Sequence, residues 1–186
     1  HFSRFFCELS ASIWTKLGGQ SFIFDGPRST PHLSFAVRRL GATCGIVITA
    51  SHNPPHDNGY KAYFADGGQL VPPNDKGVID EVENVSFDGL QEYLKIDLEK
   101  VSTLGPELDE SYVDAVVETV IDPGAFADSG LKIVFTPIHG TGAISTLPAL
   151  ARLGVEASLV EAQMIQDPNF PTVQSPNPEN SEALSQ

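Results

Sequence analysis

Ser51, His52, Asn53 and Lys61 are the residues in this sequence whose types and spacing could do chemistry. The first three stand in Thr49-Ala50-Ser51-His52-Asn53-Pro54-Pro55, and the fourth closes Asn58-Gly59-Tyr60-Lys61. A hydroxyl, an imidazole, a carboxamide and an ammonium on one short stretch supply a nucleophile, polar orienters and a cation. These are the parts of a phosphoryl-transfer site. The apolar run Gly45-Ile46-Val47-Ile48 precedes them and reads as a fully buried strand. Pro54 and Pro55 lack a backbone donor and bias the residue before them away from helix, so the strand ends in a loop. In open α/β sheets ligands bind at the carboxyl ends of strands.

The TASHNP hexapeptide followed by NGYK closely resembles the active-site serine loop of the α-D-phosphohexomutases, the phosphoglucomutase and phosphomannomutase superfamily. Asp66-Gly67-Gly68-Gln69-Leu70 is similar to the branch holding bacterial phosphoglucomutases and related phosphopentomutases. The likeness continues through Phe135-Thr136-Pro137-Ile138-His139-Gly140-Thr141-Gly142, Phe170-Pro171 and Ser175-Pro176-Asn177-Pro178-Glu179, and so covers most of the chain. The hexapeptide is specific; the later segments alone would be weak.

The resemblance implies that Ser51 is carried as a phosphoserine. It would give its phosphoryl group to one hydroxyl of a phosphosugar and recover phosphate from the other. Hexose 1- and 6-phosphates (or pentose 1- and 5-phosphates) would then interconvert through a bisphosphorylated intermediate. Ser51, Lys61 and His52 would be catalytic, and His52, Asn53 and Lys61 would bind substrate, glucose or mannose 1- or 6-phosphate. Lys61 would be a general acid/base or an electrostatic clamp, with a solvated strand lysine as the plain alternative. Acid/base work requires its pKa to fall from the ordinary ~10.4. His52 either donates a hydrogen bond to phosphate or shapes the loop. Asn53 is expected to hold the turn through its own backbone, while His56 and Asp57 face solvent.

The resemblance also implies Mg²⁺, bound through the phosphate on Ser51 and by three aspartates of an Asp-x-Asp-x-Asp-Arg loop. In the family that loop follows the Pro-Asn-Pro-Glu stretch, and this sequence does not reach it. The family's Gly-rich, Arg-bearing opening segment is likewise missing. The chain is therefore expected to be an N-terminal fragment of a four-domain enzyme, inactive alone.

Other candidates read as structural. Gly140-Thr141-Gly142 lacks the Lys-Ser/Thr end of a P-loop and the dinucleotide spacing, so a tight turn is the expectation, with His139 packed beside it. Among Arg28, Arg38 and Arg39, a cluster that could attract phosphate, the last two are expected on a solvated helix face. Asp109-Glu110 opens a helix, where carboxylates suit the dipole; it is not a metal site.

A formal net charge of −13 argues against nucleic acid, whose phosphate backbone needs a basic face. No apolar run approaches the ~20 residues that span a bilayer, and the N-terminus lacks signal-peptide features. Cys7 and Cys44 have neither zinc nor disulfide-framework spacing, and read as reduced core residues of a cytoplasmic protein.

The elements that must position the site follow from periodicity. Phe2, Phe5, Phe6, Leu9 and Ile13 form the apolar face of a first helix that ends at Gly18-Gly19. Ser21–Phe24 is a strand, Thr30-Pro31 opens a helix that Gly41 ends, and the strand before Ser51 follows. Strand, helix, strand predicts a parallel crossover pairing. Tyr60–Phe64 and Gln69–Val71 form a hairpin across Asp66-Gly67-Gly68, and Pro72-Pro73-Asn74 caps a helix to about Val82. Residues 85–105 have no clean period and read as a connecting segment.

Beyond it, a helix is predicted over Glu107–Ile121, with Leu108, Tyr112, Val116 and Val120 on one stripe. A strand over Leu131–Thr136, a helix bearing Leu147, Leu150 and Leu153, and a strand over Ala157–Val160 make a second crossover unit. Pro148 fits only the first turn of that helix. The Pro-, Asn- and Ser-rich C-terminal residues read as a loop. The fold class is α/β: three-layer α/β/α domains with a mixed, mainly parallel sheet, phosphoglucomutase-like. The domains are 1–104 with the serine loop, and 105–186, incomplete.

Two alternatives belong to other classes. The chain as given could be a non-catalytic phosphosugar-binding module or an inactive truncated piece. A hydrolase using Ser51 for acyl transfer is disfavoured, because the Gly-x-Ser-x-Gly elbow is lacking and no acid–His partner is evident.

Overall fold

The computed structural model describes residues 2–126 and 129–185. Helix α1 (Ser3–Lys16) ends where glycine permits a left-handed backbone, at Gly18 with φ 91°. Its aromatic face is not the buried one. Phe2, Phe5 and Phe6 are exposed, whereas Ala11 and Ser12 face the interior. Small residues let α1 lie close to β1 (Ser21–Phe24), and Ser21 donates its hydroxyl to Ala11 O at 3.0 Å.

Helix α2 (Thr30–Leu40) carries Pro31 in its first turn and Gly41 at its left-handed C-cap. His32, Ala36 and Val37 are its buried residues, a spacing that matches one turn-by-turn stripe. Strands β2 (Cys44–Ile48) and β3 (Tyr60–Phe64) pair antiparallel, with Val47 opposite Lys61. Gly67, with φ 79°, makes the turn after β3, and Tyr63 bridges to Gln69, but the strand expected over Gln69–Val71 is reduced to this isolated bridge. Helix α3 (Asn74–Asn84) follows.

The parallel pairing expected between β1 and β2 does not form. The partner of β1 is β4 (Val101–Leu104), in parallel register from Ser21↔Val101 to Phe24↔Leu104. A parallel partner needs only a crossover of a dozen residues or more, so sequence order does not identify it. The same finding gives structure to residues 85–105. Helix α4 (Gln91–Leu94) docks on α1, where the buried hydroxyl of Ser12 accepts the Asp97 amide at 2.9 Å and Lys16 Nζ donates to Glu92 O at 2.8 Å. Strand β2 is half-buried rather than fully buried. Cys44 is exposed and Cys7 intermediate, so neither is a core residue; burial raises the Cys7 thiol pKa.

Helix α5 (Pro106–Glu118) is shorter than the predicted stripe, and Val113 is its fully buried residue. β5 (Ile133–Phe135), α6 (Ala143–Arg152) and β6 (Ala157–Leu159) form the second crossover unit, β5 and β6 being parallel. Pro148 lies inside α6, not in its first turn. It removes one donor from the ladder while α6 stays packed on α5. Within the C-terminal loop, Ser181–Leu184 makes a 3-10 turn with Ala183 buried. The described strands thus form three two-stranded sheets, two parallel and one antiparallel, in a mixed α/β fold. The expected division between residues 104 and 105 falls at the junction of β4 and α5.

Candidate functional site

The serine loop grows from the end of the β2–β3 ladder. Past Ile48, the Thr49 amide donates to Gly59 O at 2.9 Å, one further rung. The strands approach so closely here that a Cβ on Gly59 would lie 2.7 Å from Thr49 O. Thr49 Oγ1 then accepts the Ser51 amide at 3.0 Å, and Asn53 N donates to Ala50 O at 3.1 Å. Between these bonds Ser51 adopts φ 60°, a left-handed conformation uncommon for a residue with a side chain.

Ser51 and His52 are both exposed, with Ser51 Oγ 3.3 Å from His52 Nδ1. With Nδ1 protonated the imidazole donates to the hydroxyl; in the other tautomer it accepts. Lys61 is half-buried in β3, opposite Val47, and its ammonium makes no hydrogen bond or ion pair among the described residues. The pleat places it on the side of the ladder that carries Thr49, two rungs or about 7 Å along. Asn53 turns elsewhere: its Nδ2 donates to Asp57 Oδ2 at 3.3 Å, rather than its Oδ1 closing the turn on its own backbone. His56 faces solvent, 3.6 Å from Asp57. Asn58 Oδ1 accepts the Gly59 amide at 2.9 Å and its Nδ2 reaches Ser3 Oγ at 3.3 Å, tying the loop to the start of α1.

The arginines are engaged. Arg28 pairs bidentately with Asp109, Nε–Oδ1 2.7 Å and Nη2–Oδ2 2.6 Å, and also meets Asp25 at 2.7 Å. It is 8% exposed and is no free phosphate ligand. Arg38 is not simply solvated either; it donates to Ser34 Oγ and to Asp66 O in the β3 turn. Beside Arg28, His32 is 1% exposed, stacked on Tyr112 and edge-on to Phe24. Its Nε2 lies 3.1 Å from Asp109 Oδ1 but off the line that a hydrogen bond needs, and stays unpartnered. Burial pushes its pKa below 6.5, against the pull of Asp109.

His139 is buried in a hydrogen-bonded chain. Its Nδ1 donates to Ile165 O at 2.9 Å, and the Thr172 hydroxyl donates to its Nε2 at 2.9 Å. Thr172 Oγ1 in turn accepts from Gln163 Nε2 at 3.1 Å, Gln163 Oε1 accepts from Thr136 Oγ1 at 2.5 Å, and Thr136 Oγ1 accepts the Ile138 amide at 3.0 Å. The tight turn lies one step earlier than Gly140-Thr141-Gly142: Gly140 N bonds Pro137 O at 2.8 Å around Ile138 and His139, both left-handed at φ 46° and 60°, and Gly142 then caps α6. Sequence reasoning missed Thr49, Gln163, Thr172 and Ser12. For Thr49 a signal existed: a hydroxyl two residues before a turn amide is a common local acceptor.

Two open grooves lie elsewhere, about 500 Å³ between α6 and β6 and about 490 Å³ along α3. Neither is lined by Ser51, His52 or Lys61. No three His, Cys, Asp or Glu side chains cluster to hold a metal among the described residues. No helix among them is long and apolar enough to cross a membrane.

Comparison with known proteins gives two family matches. Residues 1–89 match phosphoglucomutase/phosphomannomutase α/β/α domain I, and residues 110–186 match α/β/α domain II of the same family. A phosphoglucomutase of Staphylococcus haemolyticus is 37% identical over 99% of this chain and 34% of its own length. A "probable phosphoribomutase" of Schizosaccharomyces pombe is 35% identical over 99% of this chain and 32% of its own. A crystal structure from Thermus thermophilus, named provisionally as a phosphomannomutase, superimposes with a TM-score of 0.78 at 26% identity, covering 99% of this chain and 39% of that one. The chain thus spans about a third of the length of these curated relatives. By these matches and by its fold, the chain belongs to the phosphoglucomutase/phosphomannomutase family.

Proposed function

We propose that the chain carries the phosphoserine element of a phosphosugar mutase, which moves a phosphoryl group between the 1- and 6-positions of a hexose phosphate through a bisphosphorylated intermediate. One observation carries this reading. Ser51 stands exposed on a left-handed turn at the end of β2, beside His52, with Lys61 unpaired on the same ladder among the described residues. Membership of a family whose relatives include a phosphoglucomutase and a probable phosphoribomutase supports it, with glucose, mannose and pentose phosphates as the candidate substrates.

In the first half-reaction a bond forms from a sugar hydroxyl oxygen to phosphorus as the bond from phosphorus to Ser51 Oγ breaks. The hydroxyl proton leaves to a neighbouring base, and Ser51 Oγ ends protonated. The second half-reaction runs the same exchange in reverse from the other phosphate of the bisphosphorylated sugar. Phosphomonoesters are inert, and lowering their barrier by ~20 kcal/mol calls for charge placed around the moving group. Lys61 passes the proton or holds the charge that spreads over the equatorial oxygens. His52 and Asn53 orient the phosphate and the sugar. Mg²⁺ would neutralise that charge when bound, and a phosphate carried on Ser51, with about two negative charges, is the donor this stretch offers it. The described residues supply no further ligand set. The setting is cytoplasmic, where the two free thiols stay reduced.

Intact-mass analysis of the native protein tests the reading: one added phosphate is expected, absent in Ser51→Ala. A native protein that never carries phosphate and turns over no phosphosugar refutes it. A second reading is a phosphosugar-binding module without turnover. Calorimetry of the 186-residue chain with glucose 1-phosphate separates the two, since binding heat without phosphoserine fits only the second.

A further inference from the structure

We infer that Thr49 is a positioning residue for Ser51: its hydroxyl holds the Ser51 backbone in the left-handed conformation that presents Oγ for phosphoryl transfer. The inference rests on the reading of Ser51 as the phosphate carrier. Thr49 is fastened on one side by its amide bond to Gly59 O, at 2.9 Å, the last rung of the ladder. That rung is tight, because the Cβ that Gly59 lacks would sit 2.7 Å from Thr49 O. On the other side Thr49 Oγ1 accepts the Ser51 amide at 3.0 Å. Among the described residues this is the hydrogen bond made by the backbone of Ser51, and the exposed side chain is held by nothing but a 3.3 Å approach to His52.

A left-handed residue with a Cβ persists only where its surroundings hold it there. At φ 60° Ser51 sits between the Asn53 N to Ala50 O turn bond, which closes the loop but leaves its own amide untouched, and the Thr49 hydroxyl, the acceptor that holds that amide to the sheet. Without that acceptor the serine relaxes to negative φ and its Cα–Cβ bond swings relative to the ladder. Lys61 stays behind, because its position is fixed by pairing with Val47. The serine and the cation would then no longer address the same phosphoryl group. The chemistry demands a backbone-adjacent acceptor at this position, not merely a residue of this shape.

Thr49→Val keeps the shape and removes the acceptor, while Thr49→Ser keeps the acceptor and removes the methyl. Both are made in the native protein and followed by hydrogen exchange of the Ser51 amide and by kcat and KM for phosphosugar conversion. Thr49→Val is expected to speed Ser51 amide exchange and to lower kcat about 10- to 100-fold with KM nearly unchanged, the scale of an ångström-level misplacement. Thr49→Ser is expected to restore both. Unchanged amide exchange in Thr49→Val overturns the inference, as does a Thr49→Ser variant as impaired as Thr49→Val. Faster exchange in Thr49→Val, in a protein that never carries phosphate on Ser51, upholds the backbone support and refutes the mutase reading instead.

Discussion

Asp109→Asn is the most informative perturbation of the scaffold behind the serine loop. The Arg28–Asp109 pair joins the turn after β1 to the first turn of α5, with side chains 8% and 15% exposed. Removing one member of a buried pair typically costs about 3–5 kcal/mol, because the survivor stays buried and charged. Here the loss should be smaller, since Arg28 keeps Asp25 at 2.7 Å and the Pro27 carbonyl. The expected destabilisation is therefore about 2–3 kcal/mol, or roughly 4–12 °C in Tm for a chain of this size. Urea denaturation followed by circular dichroism measures it at neutral pH. The double replacement Arg28→Met with Asp109→Leu should recover part of the loss, because it leaves no orphan charge. A single variant within about 0.5 kcal/mol of the parent would mean that the pair behaves as an ordinary surface contact, and the argument from burial would be wrong.

Three further outcomes are expected. His32 has a lowered folded-state pKa from desolvation, so the native state binds fewer protons than the unfolded chain below 6.5. Its neutral form stabilises the fold fully above that value, and the contribution is lost as pH falls through and below it; His32→Phe should flatten this part of a stability–pH curve relative to the parent. Gly59→Ala forces a Cβ to within 2.7 Å of Thr49 O and should cost about 1–3 kcal/mol in denaturant melts. Gln163→Leu takes one of two partners from each of the Thr136 and Thr172 hydroxyls at a buried site, with an expected loss of about 1–3 kcal/mol; a melt unchanged by the substitution would show that the two Gln163 links contribute nothing.

Local physics made part of this protein legible in its sequence. The helices open and close where Pro31, Gly18 and Gly41 dictate, whereas the strand before Ser51 ends at Ile48, already turned away at Ser51 before Pro54 and Pro55 are reached. The serine loop was readable because its residue types are rare together and its prolines fix its place. Features set by distant chain segments were not readable. Val101–Leu104 becomes a strand because β1 is there to receive it, and no period in residues 85–105 announces that. Arg28 reads as an available cation until Asp109 arrives from α5. The aromatic stripe of α1 marks an apolar face, yet close approach to β1 selects Ala11 and Ser12 instead. Pro148 is tolerated within α6, which remains packed along α5.

The pairing of β1 with β4 has a mechanical consequence. Tension carried along the backbone enters the pair at Ser21 and leaves it at Leu104, at opposite ends of two strands that run the same way. Such a load shears all the rungs at once instead of peeling them singly. The whole excursion between Asp25 and Lys100, which includes Ser51 and its neighbours, is shielded from that pull until the clasp at its base gives way.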